Sequence, residues 1–397
     1  MKKRLLFLFA ISVSLLAGAQ TQYAWVQKAM YGGPARHRST GLTIGNRGYM
    51  GLGHTNSTFD VLYQDWWEYD PGSDTWTQKA NFGGGLRYHT AGFVVGNAAY
   101  VGTGRAPSSV LMADFWKYDA LTNQWTQIPN FPGTARRGAV GFAINGKGYV
   151  GTGSYYADFY EYNPATNSWT PKASLPAGGR ISAVGFTIGN KGYVGTGDDG
   201  GPSNDMWEYD PVTNIWTPRA PLPGLARMEA GGFELMGKGY IGTGDNFSSG
   251  TNYQDFWCFD PVTNSWVQVA DFAGAARRYL TCFTIGSRAY AGLGTSGTNY
   301  RDLWEFGSVS GVEETPAIKI INVYPNPVEE RALLEFPAEL RNGELLVIDM
   351  QGKLVRTIAG IQSSSYAFHR EGLPAGVYFL QVLENGTSIA NSKIVLK

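Results

Sequence analysis

The 397-residue sequence predicts an all-β chain, and three observations carry that prediction. A strand running into glycines recurs along it, as GNRGYMGLG (45–53), NAAYVGTG (97–104), GKGYVGTG (146–153), NKGYVGTG (190–197), GKGYIGTG (237–244) and SRAYAGLG (287–294). The spacing around this stretch is fixed. Trp25, Trp76, Trp125, Trp169, Trp216 and Trp266 each precede the next Gly-Tyr or Ala-Tyr pair by 23 residues, and Asp65, Asp114, Asp158, Asp205 and Asp255 each precede a tryptophan by 11. Composition agrees: 16% charged residues, 14% aromatics and 53 glycines suit short strands joined by many turns and disfavour disorder.

Each unit reads as four strands, shown by the fourth: AVGFTIGN (183–190), KGYVGTG (191–197), DMWEYDP (205–211) and NIWTPRA (214–220). Asp210-Pro211-Val212-Thr213-Asn214 between the last two is a turn, with proline presetting φ and Asp or Asn bonding local backbone. All length variation falls between the glycine turn and the aspartate, so the period runs from 44 to 51 residues. Four strands at that period make a β-propeller blade. Gly41, Gly92, Gly141, Gly185 and Gly232 put the first strand innermost, where blades converge. A lone glycine-rich strand end would suggest a phosphate cradle, but no helix start follows to supply its amides.

The count closes a ring. No fourth strand follows Trp304, and YAWVQKA (23–29) supplies it from the other end, removing an open edge. The prediction is a six-bladed β-propeller over 20–308 with N-terminal strand closure. Ahead of it, MKKR, the apolar run LLFLFAISVSLLAG and Ala17-Gly18-Ala19 form a signal peptide over 1–19. Residues 309–317 read as a linker. From 318 to 397 the repeat is gone, and ALLEF (332–336), GELLVID (343–349), KLVRTI (353–358), GVYFLQVLE (376–384) and 388–397 alternate as strands of a small β-sandwich, with turns at 350–352 and Asn385-Gly386.

The 32 basic and 32 acidic residues cancel, so no field gathers nucleic acid or anionic membrane. No later segment is apolar enough to span a membrane, and a monomer is expected. Cys258 and Cys282 are too few for a disulfide framework and lack zinc spacing, and whether they pair is left open. There is no nucleophile elbow, zinc motif or Walker loop, and no cofactor is expected.

The repeat resembles that of the kelch family, propellers of the galactose oxidase central-domain type, in its tyrosine before glycines, its third strand ending in Tyr-Asp-Pro and its fourth-strand tryptophan. It departs in having Gly-Thr-Gly or Gly-Leu-Gly where the family has a diglycine. The C-terminal segment resembles the sorting domain of type IX secretion cargo in Bacteroidota, through Val323-Tyr324-Pro325-Asn326-Pro327, Asp349-Met350-Gln351-Gly352-Lys353 and Leu373-Pro374-Ala375-Gly376-Val377-Tyr378. That resemblance implies export by the type IX machinery, removal of the domain by a surface sortase, and a mature form anchored or released at the outer-membrane surface of a Gram-negative bacterium.

Recurrent residues are expected to be structural. Arg36, Arg87, Arg136, Arg180, Arg227 and Arg277 stand 11 after each tryptophan, on the same face as Asp65, Asp114, Asp158, Asp205, Asp255 and Asp302, and the expectation is two rings of ion pairs buttressing the loops. The next two positions vary: His37-Arg38, Tyr88-His89, Arg137-Gly138, Ile181-Ser182, Met228-Glu229 and Arg278-Tyr279. They fall at the channel mouth beside the variable loops 54–64, 105–113, 154–157, 198–204, 245–254 and 295–301, the usual binding surface of a repeat scaffold. Ligand contacts are therefore expected from His37, Arg38, Tyr88, His89, Arg137, Met228, Glu229, Arg278 and Tyr279, with a carbohydrate ahead of a protein as the ligand. His37, His54 and His89, with Asp60, are weak candidates for a metal. Two kelch enzyme classes offer alternatives. Copper-radical oxidases need a cysteine crosslinked to tyrosine, which neither Cys258 in an outer strand nor Cys282 in place of an inner-strand glycine matches. Sialic acid mutarotases use an acid or base and an arginine at the channel mouth, which Glu229 with Arg227 or Arg278 would mimic.

Overall fold

The computed structural model describes residues 23–55, 61–247, 250–308, 319–336, 338–384 and 387–397. The signal peptide, the linker, Asp60 and the Asn385-Gly386 turn lie outside them. The chain divides into two compact units, Met1–Val309 and Ser310–Lys397.

The first unit is a propeller of six four-stranded antiparallel sheets. Blade 1 is Thr40–Ile44, Arg47–Gly51, Trp66–Asp70 and Thr75–Lys79. Blade 4 is Val184–Ile188, Lys191–Gly195, Met206–Asp210 and Ile215–Arg219. Blades 2, 3 and 5 repeat this order with first strands Ala91–Val95, Val140–Ile144 and Gly231–Leu235. Blade 6 holds Thr281–Ile285, Arg288–Gly292 and Leu303–Ser308, and Tyr23–Lys28 completes it, in register from Tyr23 opposite Ser308 to Lys28 opposite Leu303. First strands pack on first strands all around the ring. Glycine is needed there: a Cβ on Gly141 would stand 2.5 Å from the Gly92 carbonyl oxygen.

The fourth-strand tryptophans stitch the blades. The indoles of Trp25, Trp76, Trp125, Trp169, Trp216 and Trp266 each donate to a backbone carbonyl of the connection leaving the neighbouring blade, at 2.8–3.3 Å. The turn before them adds a second stitch. Asn214 adopts φ +57°, a left-handed conformation that Asn tolerates, and its Oδ1 accepts from the Ala173 amide at 3.0 Å and the Tyr209 hydroxyl at 2.8 Å. Asn214→Ala should therefore cost about 2–3 kcal/mol, since it loses two hydrogen bonds and places Ala in a strained backbone. Asn214→Gly, which relaxes the backbone alone, should cost about 1–2 kcal/mol by the bonds lost, and urea unfolding of the two variants separates the terms.

The second unit is a sandwich. One sheet runs Lys319–Ile320, Thr387–Leu396, Gly376–Glu384, Gly343–Asp349, Leu354–Ile361, and the other Asn322–Tyr324, Arg331–Glu335, Ser365–His369. Leu334, Leu345, Val347, Phe368, Leu380 and Ile394 are fully buried in its own core. The strand Ser365–His369, in which Tyr366 and Phe368 alternate with Ser365, Ala367 and His369, is not among the strands expected from the sequence. The motif residues fasten this unit. Asn326, between Pro325 and Pro327, donates from Nδ2 to the Lys393 carbonyl and accepts at Oδ1 from the Val395 amide, both at 2.9 Å. Gly352 sits at φ +82° in a turn where Asp349 Oδ1 accepts the Gln351 and Lys353 amides, Gly376 pairs with Leu396, and the Tyr378 hydroxyl donates to the Pro374 carbonyl.

Candidate functional site at the channel mouth

On the face where first and third strands begin, each arginine of the recurrent set is buried and grips the aspartate of its own blade with two nitrogens. The pairs are Arg36–Asp65, Arg87–Asp114, Arg136–Asp158, Arg180–Asp205, Arg227–Asp255 and Arg277–Asp302, and the Nη2 contacts run from 2.7 to 3.1 Å. Each Nη1 also donates to the middle carbonyl of the glycine turn, at Leu52, Thr103, Thr152, Thr196, Thr243 and Leu293, residues that all adopt positive φ. Five aspartates accept as well from an indole two residues on, Trp67, Trp116, Trp207, Trp257 or Trp304. For Asp205 and Asp255 burial alone would raise the carboxyl pKa, but the arginine bonds and charge outweigh it and hold it below the usual range.

The two variable rows have different jobs. The outer row ties the loops to their bases: His37 bridges His54, Tyr88 Arg105, Ile181 Asp198, Met228 Asp245 and Arg278 Thr295 through paired backbone hydrogen bonds, while the Arg137 carbonyl accepts from the Ser154 amide and its own amide donates to the Ser154 hydroxyl. The inner row forms a neck across the channel. Arg38, His89, Gly138, Ser182, Glu229 and Tyr279 all lie at φ between +54° and +63°, and five successive backbone bonds link them, each amide donating to the carbonyl of the blade before. Five of the six carry a side chain in a conformation that favours glycine, a strain that neighbouring structure must hold in place.

Around the neck the side chains split into two groups. Arg38 Nη1 lies 2.9 Å from His54 Nε2 and 3.3 Å from His37 Nε2, and His54 stacks on Tyr88 with ring centres 3.9 Å apart. Burial, His54 and the Arg38 charge push the His37 pKa down to about 3, and burial with Arg38 and Arg137 holds His89 well below its ordinary value. A guanidinium thus stands where a cation between His37 and His54 would sit. Among the described residues no three His, Cys, Asp or Glu side chains form a metal-holding group.

The second group centres on Glu229, which is 8% exposed. Its Oε1 accepts from the Tyr279 hydroxyl, which in turn accepts from Arg38 Nη2. Arg278 Nε stands 3.4 Å from Glu229 Oε2 while Arg278 Nη1 pairs with Asp245 at 2.6 Å. Burial raises the Glu229 pKa to about 7, with Arg38 and Arg278 pulling it down and Asp245 and Asp198 pushing it up. Folded Glu229 therefore holds a proton that the unfolded chain releases between about pH 4.5 and 7, so its contribution to stability is present at the acid end and lost as pH rises through 7. His37 and His89 act oppositely below their ordinary value, so the comparison with Glu229→Gln isolates the acid: the stability of the native chain minus that of the variant should fall from pH 4.5 to 7.

Above the neck lies a cavity of about 480 Å³, set off-centre over blades 3 to 5. Of the residues named from the sequence, Arg38, His89, Arg137, Met228, Glu229 and Tyr279 line it. His37 and Tyr88 stand behind Arg38, and Arg278 stands behind Glu229 with Asp245. The loops contribute Tyr155, Asp198 and Phe247, which the sequence reading placed only as loops; Tyr155 donates to Asp198 at 2.5 Å. Arg137 makes no side-chain hydrogen bond or ion pair with any described residue, so its charge faces the cavity. Cys258 and Cys282 are both free, Cys282 in the wall of first strands.

Fold and site together define an all-β propeller with a polar cavity at one end of its channel and a separate β-module after it. Residues 322–397 match the family described as "Secretion system C-terminal sorting domain". The chain is thus exported by type IX secretion, to the cell surface or beyond, and engages that machinery through this module. The chain is also similar to the solved structure described as "Structure of YjhT", with a TM-score of 0.59 and 18% identity over 70% of this chain and 96% of that one. No curated protein matches it. Among the described residues no helix is long and apolar enough to cross a membrane.

Proposed function

We propose that the exported chain is a kelch-type, Bacteroidota-like surface protein that binds a carbohydrate at the channel mouth. One observation carries this reading: the cavity of about 480 Å³, of ligand-pocket size, sets the aromatic rings of Tyr279, Tyr155 and Phe247 beside Arg137 and the Arg38–Tyr279–Glu229 chain. Aromatic rings suit the C–H faces of a sugar and charged groups suit its hydroxyls, whereas a protein ligand would rest on the rim. A glycan array of the intact secreted chain should give binding that is lost when Arg38, His89 and Glu229 are changed together. No binding to any glycan would end the reading.

A second reading, a sugar-acting enzyme that moves a proton, is favoured by Glu229, whose pKa near 7 suits an acid or base at neutral pH. Exchange spectroscopy on a bound sugar should then show ring-opening interconversion that Glu229→Gln abolishes. The sorting module is read as the part a surface sortase removes.

A further inference from the structure

A second cavity lies on the same face of the propeller, over the loops of blades 1 and 2. It holds about 420 Å³ and is lined by Leu62, Leu86, Tyr88, Arg105 and the turn Pro107–Ser109. Nothing in the Glu229 network uses it. The wall between the two cavities is a continuous run of side chains: Tyr88 lines the second, stacks on His54 at 3.9 Å, and His54 meets Arg38, which lines the first.

Ser108 and Ser109 both adopt positive φ in the kinked turn that lines the cavity, and Arg105 Nη2 donates to the Ser109 hydroxyl. The Ala106 amide closes the loop by donating to the Val110 carbonyl at 2.8 Å. Leu86 is 40% exposed beside it, and Val110 and Leu111 at the end of the same loop are also exposed. An apolar patch next to an arginine and two hydroxyls offers a sugar ring the same mixture that the first cavity offers.

We infer that the ligand is a linear oligosaccharide long enough to enter both cavities, with one end at Glu229 and Arg137 and the chain passing over Tyr88 to Arg105 and Leu86. This rests on the carbohydrate reading above and deepens it. A single sugar fills only one of the two spaces, so a second occupied cavity acts as a linked site and raises affinity by effective concentration.

The test is a ladder of one to six units from each glycan class that the array scores, titrated calorimetrically into the intact chain. Affinity should rise at least tenfold from the monosaccharide to the longer members, then level off. Arg105→Ala, and separately Leu86→Ser, should collapse that ratio towards one, with an unchanged melting temperature certifying the fold. Leu86 is exposed and Arg105 half-buried, so the two variants guard against one failing to fold. Equal affinity at every length, or a length ratio untouched by both variants, overturns the two-cavity ligand while leaving the channel-mouth reading standing. Absence of binding by every member of every ladder overturns both.

Discussion

Asp114→Ala is expected to lower the stability of the propeller by about 3–5 kcal/mol, because it strands a buried guanidinium. Arg87 is wholly buried, and Asp114, at 14% side-chain exposure, is the least exposed of its paired aspartates. The aspartate accepts from Arg87 Nη1 at 2.6 Å, Nη2 at 3.1 Å and the Trp116 indole at 2.7 Å, so three donors lose an acceptor at once. Only the Thr103 and Gly84 carbonyls remain to Arg87, and they carry no charge. Coulomb attraction of the pair is not the main quantity at risk; the desolvated, unmatched charge is. Thermal unfolding should show the melting temperature falling by roughly 10 °C for a domain of this size. Asp158→Ala makes the internal control. Arg136 is as buried as Arg87, but Asp158 is 32% exposed and its blade has Tyr160 where the others have an indole-bearing tryptophan, so removing the Asp158 carboxylate opens Arg136 to water and the loss should be smaller. Equal losses at the two sites would mean that the pairs act through something other than burial.

The same unit explains why so much of the fold was legible. Arginine, aspartate and tryptophan recur at fixed intervals because each blade must satisfy the same buried carbonyl of the glycine turn and the same blade-to-blade carbonyl, so geometry appears directly as spacing. The N-terminal closure was legible by counting, since Trp25 performs for blade 6 the stitch that Trp76 performs for blade 1. The site was legible by position and not by conformation. Arg38, His89, Ser182, Glu229 and Tyr279 share no residue type, and nothing in them announces a left-handed backbone; only Gly138 hints at it. Position placed them together, but which of them reach the cavity depended on contacts across the ring. His37 and Tyr88 were expected beside Arg38, and the structure sets them behind it, because Arg38 swings across the mouth to Tyr279 over a separation of 241 residues. Phe247 and Tyr155 come from the loops whose lengths differ between blades, where no repeat constrains the residue and no spacing can point to it.

Removing residues 318–397 should abolish surface display while leaving the propeller folded. The sandwich buries its own apolar residues, with Leu334, Leu345, Val347, Phe368 and Ile394 fully enclosed in one cluster, and the propeller clusters are made of residues up to Phe306. Loss of the module therefore deprives no blade of a core contact in these clusters, and the truncated chain should melt at a temperature close to that of the propeller in the full chain. Display is different, because the module carries the match to the secretion sorting domain. The truncated protein should accumulate in the periplasm, read by fractionation and by its resistance to protease added to whole cells. Asn326→Ala separates fold of the module from mere presence of it: Asn326 clamps the backbone of Lys393 and Val395 near the C-terminus, so its loss should loosen that strand and reduce display without removing any sequence. If the truncated chain reaches the surface at the normal level, the propeller carries its own export signal and the C-terminal module has another task; if Asn326→Ala displays normally while its strand is loosened, the machinery reads sequence rather than the folded edge.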